Sequence, residues 1–146
     1  MARIKDLFTL DLFDIPQPAP QTPGSMNYAG EIAHVMSKAL KECDFDRYEI
    51  VARMSRLLGR EISLNMLNAY TAESRETHVP RMDVAVAFDA ATEGFALASF
   101  HASKLGARLL VGEEALLAEL GRIDQMKTDL VKQEKAIKTY LLERKK

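Results

Sequence analysis

Four of the chain's five prolines, Pro16, Pro18, Pro20 and Pro23, fall within eight residues, and Gly24 and Ser25 follow directly. Proline fixes φ and removes a backbone donor, so this stretch suits neither a helix interior nor a sheet ladder. Beyond it only Pro80 interrupts the chain. The expectation is a divided molecule: a disordered, Pro-rich N-terminal arm over residues 1–26, then a long stretch free to form helices. With 47% apolar and 28% charged residues in a chain of 146, that stretch is enough to fill one ordinary core.

The apolar residues recur at helical spacing. Ile32, Val35, Met36, Ala39, Leu40 and Cys43 form one stripe, with Glu31, His34, Lys38, Lys41 and Glu42 on the other side. Asp44 or Asp46 is placed to cap a second helix, and Glu49 stands where a capping box places its acid. Ile50, Val51, Met54, Leu57 and Leu58 make the second stripe, and Gly59 is a stop signal. Ser63 then caps a short third helix that turns Leu64, Leu67 and Tyr70 inward. Residues 73–79 read as a polar loop, with Pro80 in the first turn of the next helix. Two more helices follow, broken near Glu93-Gly94, and residues 108–111 read either as extended chain or as a last helical turn. The fold class is all-α, with a helical domain over residues 27–112.

From Glu113 the chain has no proline, which predicts one long helix over 113–146. Leu116, Leu120, Ile123, Leu130, Ile137 and Leu141 follow a 4-3 spacing, with Lys127 and Glu134 in two of the inward positions. Such a helix would leave its stripe wet without a partner helix, so self-association, favouring a dimer, is expected through these six residues. Between Arg122 and Lys146 eight basic residues outnumber four acidic ones, which suits either nucleic acid or the mixed-charge face of a coiled coil.

Several function classes are set aside at this level. His34, His78 and His101 are scattered, and neither a Gly-rich phosphate loop nor a nucleophile elbow occurs. Cys43 lies on an apolar stripe, where a structural thiol is the ordinary reading. The expectation is a protein that is not an enzyme and uses no cofactor or metal. No apolar run reaches the ~18–20 residues of a membrane span, and no secretory signal pattern opens the chain. A lone cysteine adds to the expectation of a cytoplasmic location without membrane contact.

Residues 47–72 are the strongest candidate site. They read as a helix-turn-helix, whose second helix lies in the major groove. Asn65 and Asn68 fall opposite Leu67 and Tyr70, and Asn is suited to an adenine edge. Arg53, Arg56 and Arg60 form a stripe on the bracing helix that suits phosphates. Double-stranded DNA is therefore an expected partner, although two packed helices with a solvated face would use the same residues. Against the motif, Ala52 and Gly59 are more widely spaced than usual, and residues 63–72 contain no Lys or Arg. Separately, Thr9-Leu10-Asp11-Leu12-Phe13 resembles the Gln-Leu-Asp-Leu-Phe pentapeptide with which bacterial proteins grip the replicative sliding clamp. It implies a protein partner through Thr9 to Phe13, with docking on its own domain as the plainer alternative.

The block from Arg47-Tyr48-Glu49-Ile50-Val51-Ala52-Arg53-Met54-Ser55 through Leu67-Asn68-Ala69-Tyr70-Thr71-Ala72-Glu73-Ser74-Arg75-Glu76 resembles small proteins of Mu-like, transposable prophages. The likeness extends to Leu12-Phe13-Asp14-Ile15-Pro16 and to Val111-Gly112-Glu113-Glu114-Ala115-Leu116-Leu117-Ala118-Glu119-Leu120-Gly121-Arg122-Ile123. The central block is also similar to phage regulators built on a helix-turn-helix. These resemblances imply a prophage-encoded DNA-binding regulatory or accessory protein. The alternative is a helical adaptor that binds a phage or host protein without touching DNA.

Overall fold

Asp46 and Ser63 begin two helices through the contacts their residue types favour. The Glu49 N–H donates to Asp46 Oδ1 at 2.8 Å, and the Met66 N–H donates to Ser63 Oγ at 3.1 Å. Each satisfies a backbone donor that the first helical turn leaves without an intrahelical acceptor. The computed structural model describes residues 15–145, and its described elements are six helices. They are α1 (Ala29–Glu42), α2 (Arg47–Leu58), α3 (Leu64–Tyr70), α4 (Met82–Ala91), α5 (Ala96–Lys104) and α6 (Glu113–Glu143). The chain divides into two compact units, one ending at Leu109 and the other running from Leu110. The all-α expectation holds for the described chain, including the long C-terminal helix. The expectations placed on residues 1–14, Thr9 to Phe13 among them, lie outside the described residues.

In the first unit α2 lies against α4, α1 against α5, α4 against α5, and α3 against α2. Met36, Ile50, Met54, Ile62, Leu67, Val84 and Phe88 are fully buried where these helices meet. Burial of apolar surface on this scale is the main favourable term holding short helices together, none of which is long enough to be stable alone. Gly59 ends α2 with φ 64°, the left-handed conformation that favours glycine. Ser55 then closes the turn into α3. Its hydroxyl accepts the Ile62 N–H at 2.9 Å and donates to the Val51 carbonyl at 2.8 Å.

The α4–α5 corner is built around a buried carboxylate. Phe95 supplies no side-chain cap to α5, and Asp89 of α4 takes that role across the corner. Its Oδ1 accepts the Leu97 N–H at 3.0 Å and its Oδ2 accepts the Ala98 N–H at 2.8 Å. A negative group at a helix N-terminus also opposes the helix dipole favourably. Glu93, in the same corner, adopts φ 56° and extends its carboxylate to Arg53 of α2 at 2.9 Å.

Four local expectations change. Leu57, assigned to the inner stripe of α2, is exposed at its edge, while Ile50 and Met54 carry the packing. The capping box is half formed, because Glu49 Oε1 accepts from Arg53 Nε at 2.9 Å. Pro80 precedes Arg81, the N-cap of α4, and so stands outside the first turn. Residues 107–111 are exposed, non-helical chain, so the last-turn alternative drops out.

The described part of the proline-rich stretch is tied down. The Ala19 N–H donates to the Lys104 carbonyl at 2.9 Å, and Pro18 pairs with Leu105 in an isolated antiparallel bridge. Gly106 makes this approach possible. It has φ 72°, and a Cβ there would come within 2.6 Å of the Pro18 nitrogen.

Candidate partner-binding surfaces

The five residues proposed to meet DNA divide sharply in their surroundings. Arg53 is only 25% exposed at its side chain and is held by Glu49 and Glu93, each at 2.9 Å. Its guanidinium also stacks 3.6 Å from the Phe45 ring centroid. The Glu49 and Glu93 hydrogen bonds raise its pKa above the ordinary arginine value. Arg60 Nη2 reaches Asp83 Oδ2 at 3.2 Å and so ties the α2–α3 turn to the start of α4. Partial desolvation pulls the Asp83 pKa upward, but hydrogen bonds from Arg60 and the Val84 N–H, with the charges of Arg81 and Arg60, outweigh it. The carboxyl lies below its usual range.

Asn68 is exposed, yet its Oδ1 already accepts from Arg47 Nη1 at 2.8 Å. An adenine edge would need that acceptor together with the amide donor. Asn65 and Arg56 make no side-chain hydrogen bond or ion pair among the described residues. They lie on different helices, and α3, with seven residues, has neither acid in its first turn nor base in its last. The segment therefore has helix-turn-helix order, with two of its three phosphate-type guanidinium groups already engaged by carboxylates.

The long helix presents a different surface. None of its described residues is buried, and Leu116, Leu120, Ile123, Leu130, Ile137 and Leu141 are all exposed, Leu116 by 72% and Leu130 by 60%. Its charges are largely paired along the helix itself: Arg122 with Glu119, Lys127 with Asp124, Lys132 with Asp129 and Lys138 with Glu134. The Arg122 hydrogen bond holds the Glu119 carboxyl below its usual range. Met126 and Tyr140 are exposed as well, residues that the single 4-3 series passed over. From Ile123 onward a better series runs Ile123, Met126, Leu130, Gln133, Ile137, Tyr140. It avoids both Lys127 and Glu134. Joining it to Leu116 and Leu120 puts two three-residue steps together at Ile123, a stammer that locally overwinds a coiled coil.

A third surface had no sequence signal. Between α4, α5 and the chain leading into α1 lies an apolar cleft of about 640 Å3. Met82, Val86, Leu97, Phe100 and Leu105 contribute to its walls, and Met26 and Tyr28 form one rim. Met82 is 64% and Val86 63% exposed, unusual for side chains of their type on adjacent turns. One edge is stiffened by Lys104. Its Nζ lies 2.7 Å from Glu31 Oε2 and within 5.0 Å of both the Tyr28 and Phe100 ring centroids. Those two rings meet edge to face at 5.6 Å. The cleft joins side chains that stand almost eighty residues apart in sequence, and that separation hid it.

Among the described residues no group of three His, Cys, Asp or Glu side chains is placed to hold a metal ion. His34 pairs with Glu73 at 3.0 Å, and Cys43 Sγ lies against the Leu40 and Phe45 carbonyls. No described helix is long and apolar enough to cross a membrane. No protein-family model matches the chain, and neither a curated protein nor a solved structure matches it.

Proposed function

We propose that this protein is a prophage-type helical adaptor that pairs with a second copy through α6 and serves a phage or host protein without contacting DNA. The observation that carries the proposal is the exposed stripe of α6. It offers apolar side chains along 31 residues, about 45 Å at ~1.5 Å per residue. A helix this long with its apolar side unpartnered gains by pairing, since each apolar residue removed from water contributes favourably. The ion pairs flanking the stripe leave few free charges to desolvate. On this reading α6 makes the pairing contact and the first unit supplies the surface for the other partner.

The engagement of Arg53 and Arg60 argues against the DNA-binding regulator. Phosphate binding would have to displace Glu49, Glu93 and Asp83, whereas effective phosphate contacts come from unpaired guanidinium groups that neutralise phosphates and displace the counterions condensed on the DNA. The order of α2 and α3, with Arg56 and Asn65 unengaged, is the observation that keeps DNA as the second reading. A labelled duplex titrated with the full chain at low and at physiological salt separates the two. The adaptor gives no salt-dependent binding, while affinity that falls steeply and linearly in log salt would establish the regulator.

A further inference from the structure

The described chain enters the first unit at one lip of the apolar cleft. Pro18 and Ala19 are fastened to Leu105 and Lys104, both of which line the cleft, and the same strand of chain later supplies Met26 and Tyr28 to its rim. The residues that precede this fastening are Leu7-Phe8-Thr9-Leu10-Asp11-Leu12-Phe13-Asp14-Ile15. Six of the nine are large and apolar. Phe8, Leu10 and Leu12 alternate with Thr9 and Asp11, the pattern of an extended segment with one apolar side. Ile15, the one described member of the run, is 72% exposed.

We propose that the cleft is the docking site of the chain's own Leu7–Ile15 segment. Reach is ample. Phe13 lies five positions and Leu10 eight positions before the fastened Pro18, steps that span at most about 18 and 29 Å at ~3.6 Å per residue. The cleft walls are helices of ten and nine residues, about 15 Å long. A tethered segment also meets the cleft at a high effective concentration, so modest apolar contacts suffice where a free peptide of the same sequence would bind weakly. The segment is the apolar run nearest in the chain to the fastened lip, and Met82 and Val86 are the apolar surface it would cover. This inference stands on the cleft and the fastening alone and is independent of pairing through α6.

The test uses the full chain with Cys43→Ser and Val86→Cys, so that the single thiol lies in the cleft wall. Its rate of modification by a disulfide reagent is compared with that of the same chain carrying Leu12→Asp and Phe13→Asp. A docked arm protects the thiol, and the double aspartate variant reacts about tenfold faster or more, as expected when a cover present nine-tenths of the time is lost. A thiol introduced instead by Lys132→Cys on α6 reacts equally in both backgrounds, which separates uncovering from unfolding. If the double variant melts early, Leu10→Asp alone is the second probe, read by the same rates. Equal rates at Val86→Cys with either arm would overturn the proposal and leave the cleft open for another occupant. Protection that disappears on dilution would overturn it too, since the covering arm would then come from a second copy.

Discussion

Arg47 Nη1 donates to Asn68 Oδ1 across 2.8 Å, fastening the first turn of α2 to the last turn of α3. The same nitrogen reaches Thr71 Oγ1 at 3.2 Å. The pairing makes Asn68 a structural acceptor on the face where base recognition was expected. Asn68→Ala is expected to cost about 0.5–1.5 kcal/mol, the net worth of one such hydrogen bond, toward the lower end because both groups meet water. Urea denaturation should show a lower midpoint with an unchanged slope. A neutral result would mean that the Arg47–Asn68 contact adds nothing to the hold that Leu67, Ile62 and the Ser55 turn already give α2 and α3.

Asp89 should matter more. Its two oxygens accept two backbone donors, the Leu97 N–H is buried, and the carboxylate faces the start of α5. Asp89→Asn keeps the shape but turns one oxygen into a donor, which leaves one N–H facing another. The expected loss is about 1.5–3 kcal/mol, read by chemical denaturation. Asp89→Ala should cost at least as much.

The Arg60–Asp83 pair gives a dependence on pH. Asp83 has a folded pKa below its ordinary value of about 3.9, so its contribution to stability is complete above that value and is lost as pH falls through the depressed folded one. Native protein should therefore be more stable than Asp83→Asn at neutral pH. The gap should close in strong acid, measured as the difference in melting temperature across that range. A gap that persists unchanged in acid would show that the Asp83 charge is not what ties the α2–α3 turn to α4.

How far the sequence revealed this arrangement follows from how local each cause is. Asp46, Ser63 and Gly59 act within a few residues of themselves, and their roles were legible from residue type and position. Leu57 was misplaced because an i, i+3, i+4 stripe is wide, and its edge falls inside or outside according to what the neighbouring helix covers. Of the two carboxylates that hold Arg53, Glu49 is one helical turn away and local in sequence, while Glu93 lies forty residues away, in a corner whose left-handed φ no periodicity announces. Asp89 was hidden within an apolar helix for the same reason, since its partners, the backbone donors of α5, follow only once the corner is closed. Met126 and Tyr140 fall outside the 4-3 series for a different cause: a single register through the whole of α6 passes between them.

The two series make opposite demands on neighbouring residues. If the C-terminal half of α6 pairs through Met126, Leu130, Gln133, Ile137 and Tyr140, Met126→Asp puts a charge into the seam and should weaken self-association about tenfold or more, some 1.4 kcal/mol. Lys127→Leu, outside that seam, should change it by less than about threefold. Titration by fluorescence anisotropy or sedimentation would check both. Strengthening by Lys127→Leu with tolerance of Met126→Asp would assign the seam to the uninterrupted 4-3 series instead.

Sedimentation equilibrium of the full native chain tests pairing through α6 most directly. The expected species has twice the 16.3 kDa mass of one chain and dissociates reversibly on dilution. Ile123→Asp with Leu130→Asp should give monomers whose first unit still melts cooperatively, because the aspartates enter the seam and leave Phe88, Ile50 and Met54 untouched. A native chain that sediments as a monomer throughout the micromolar range would contradict pairing through α6, and the adaptor built on it would fall.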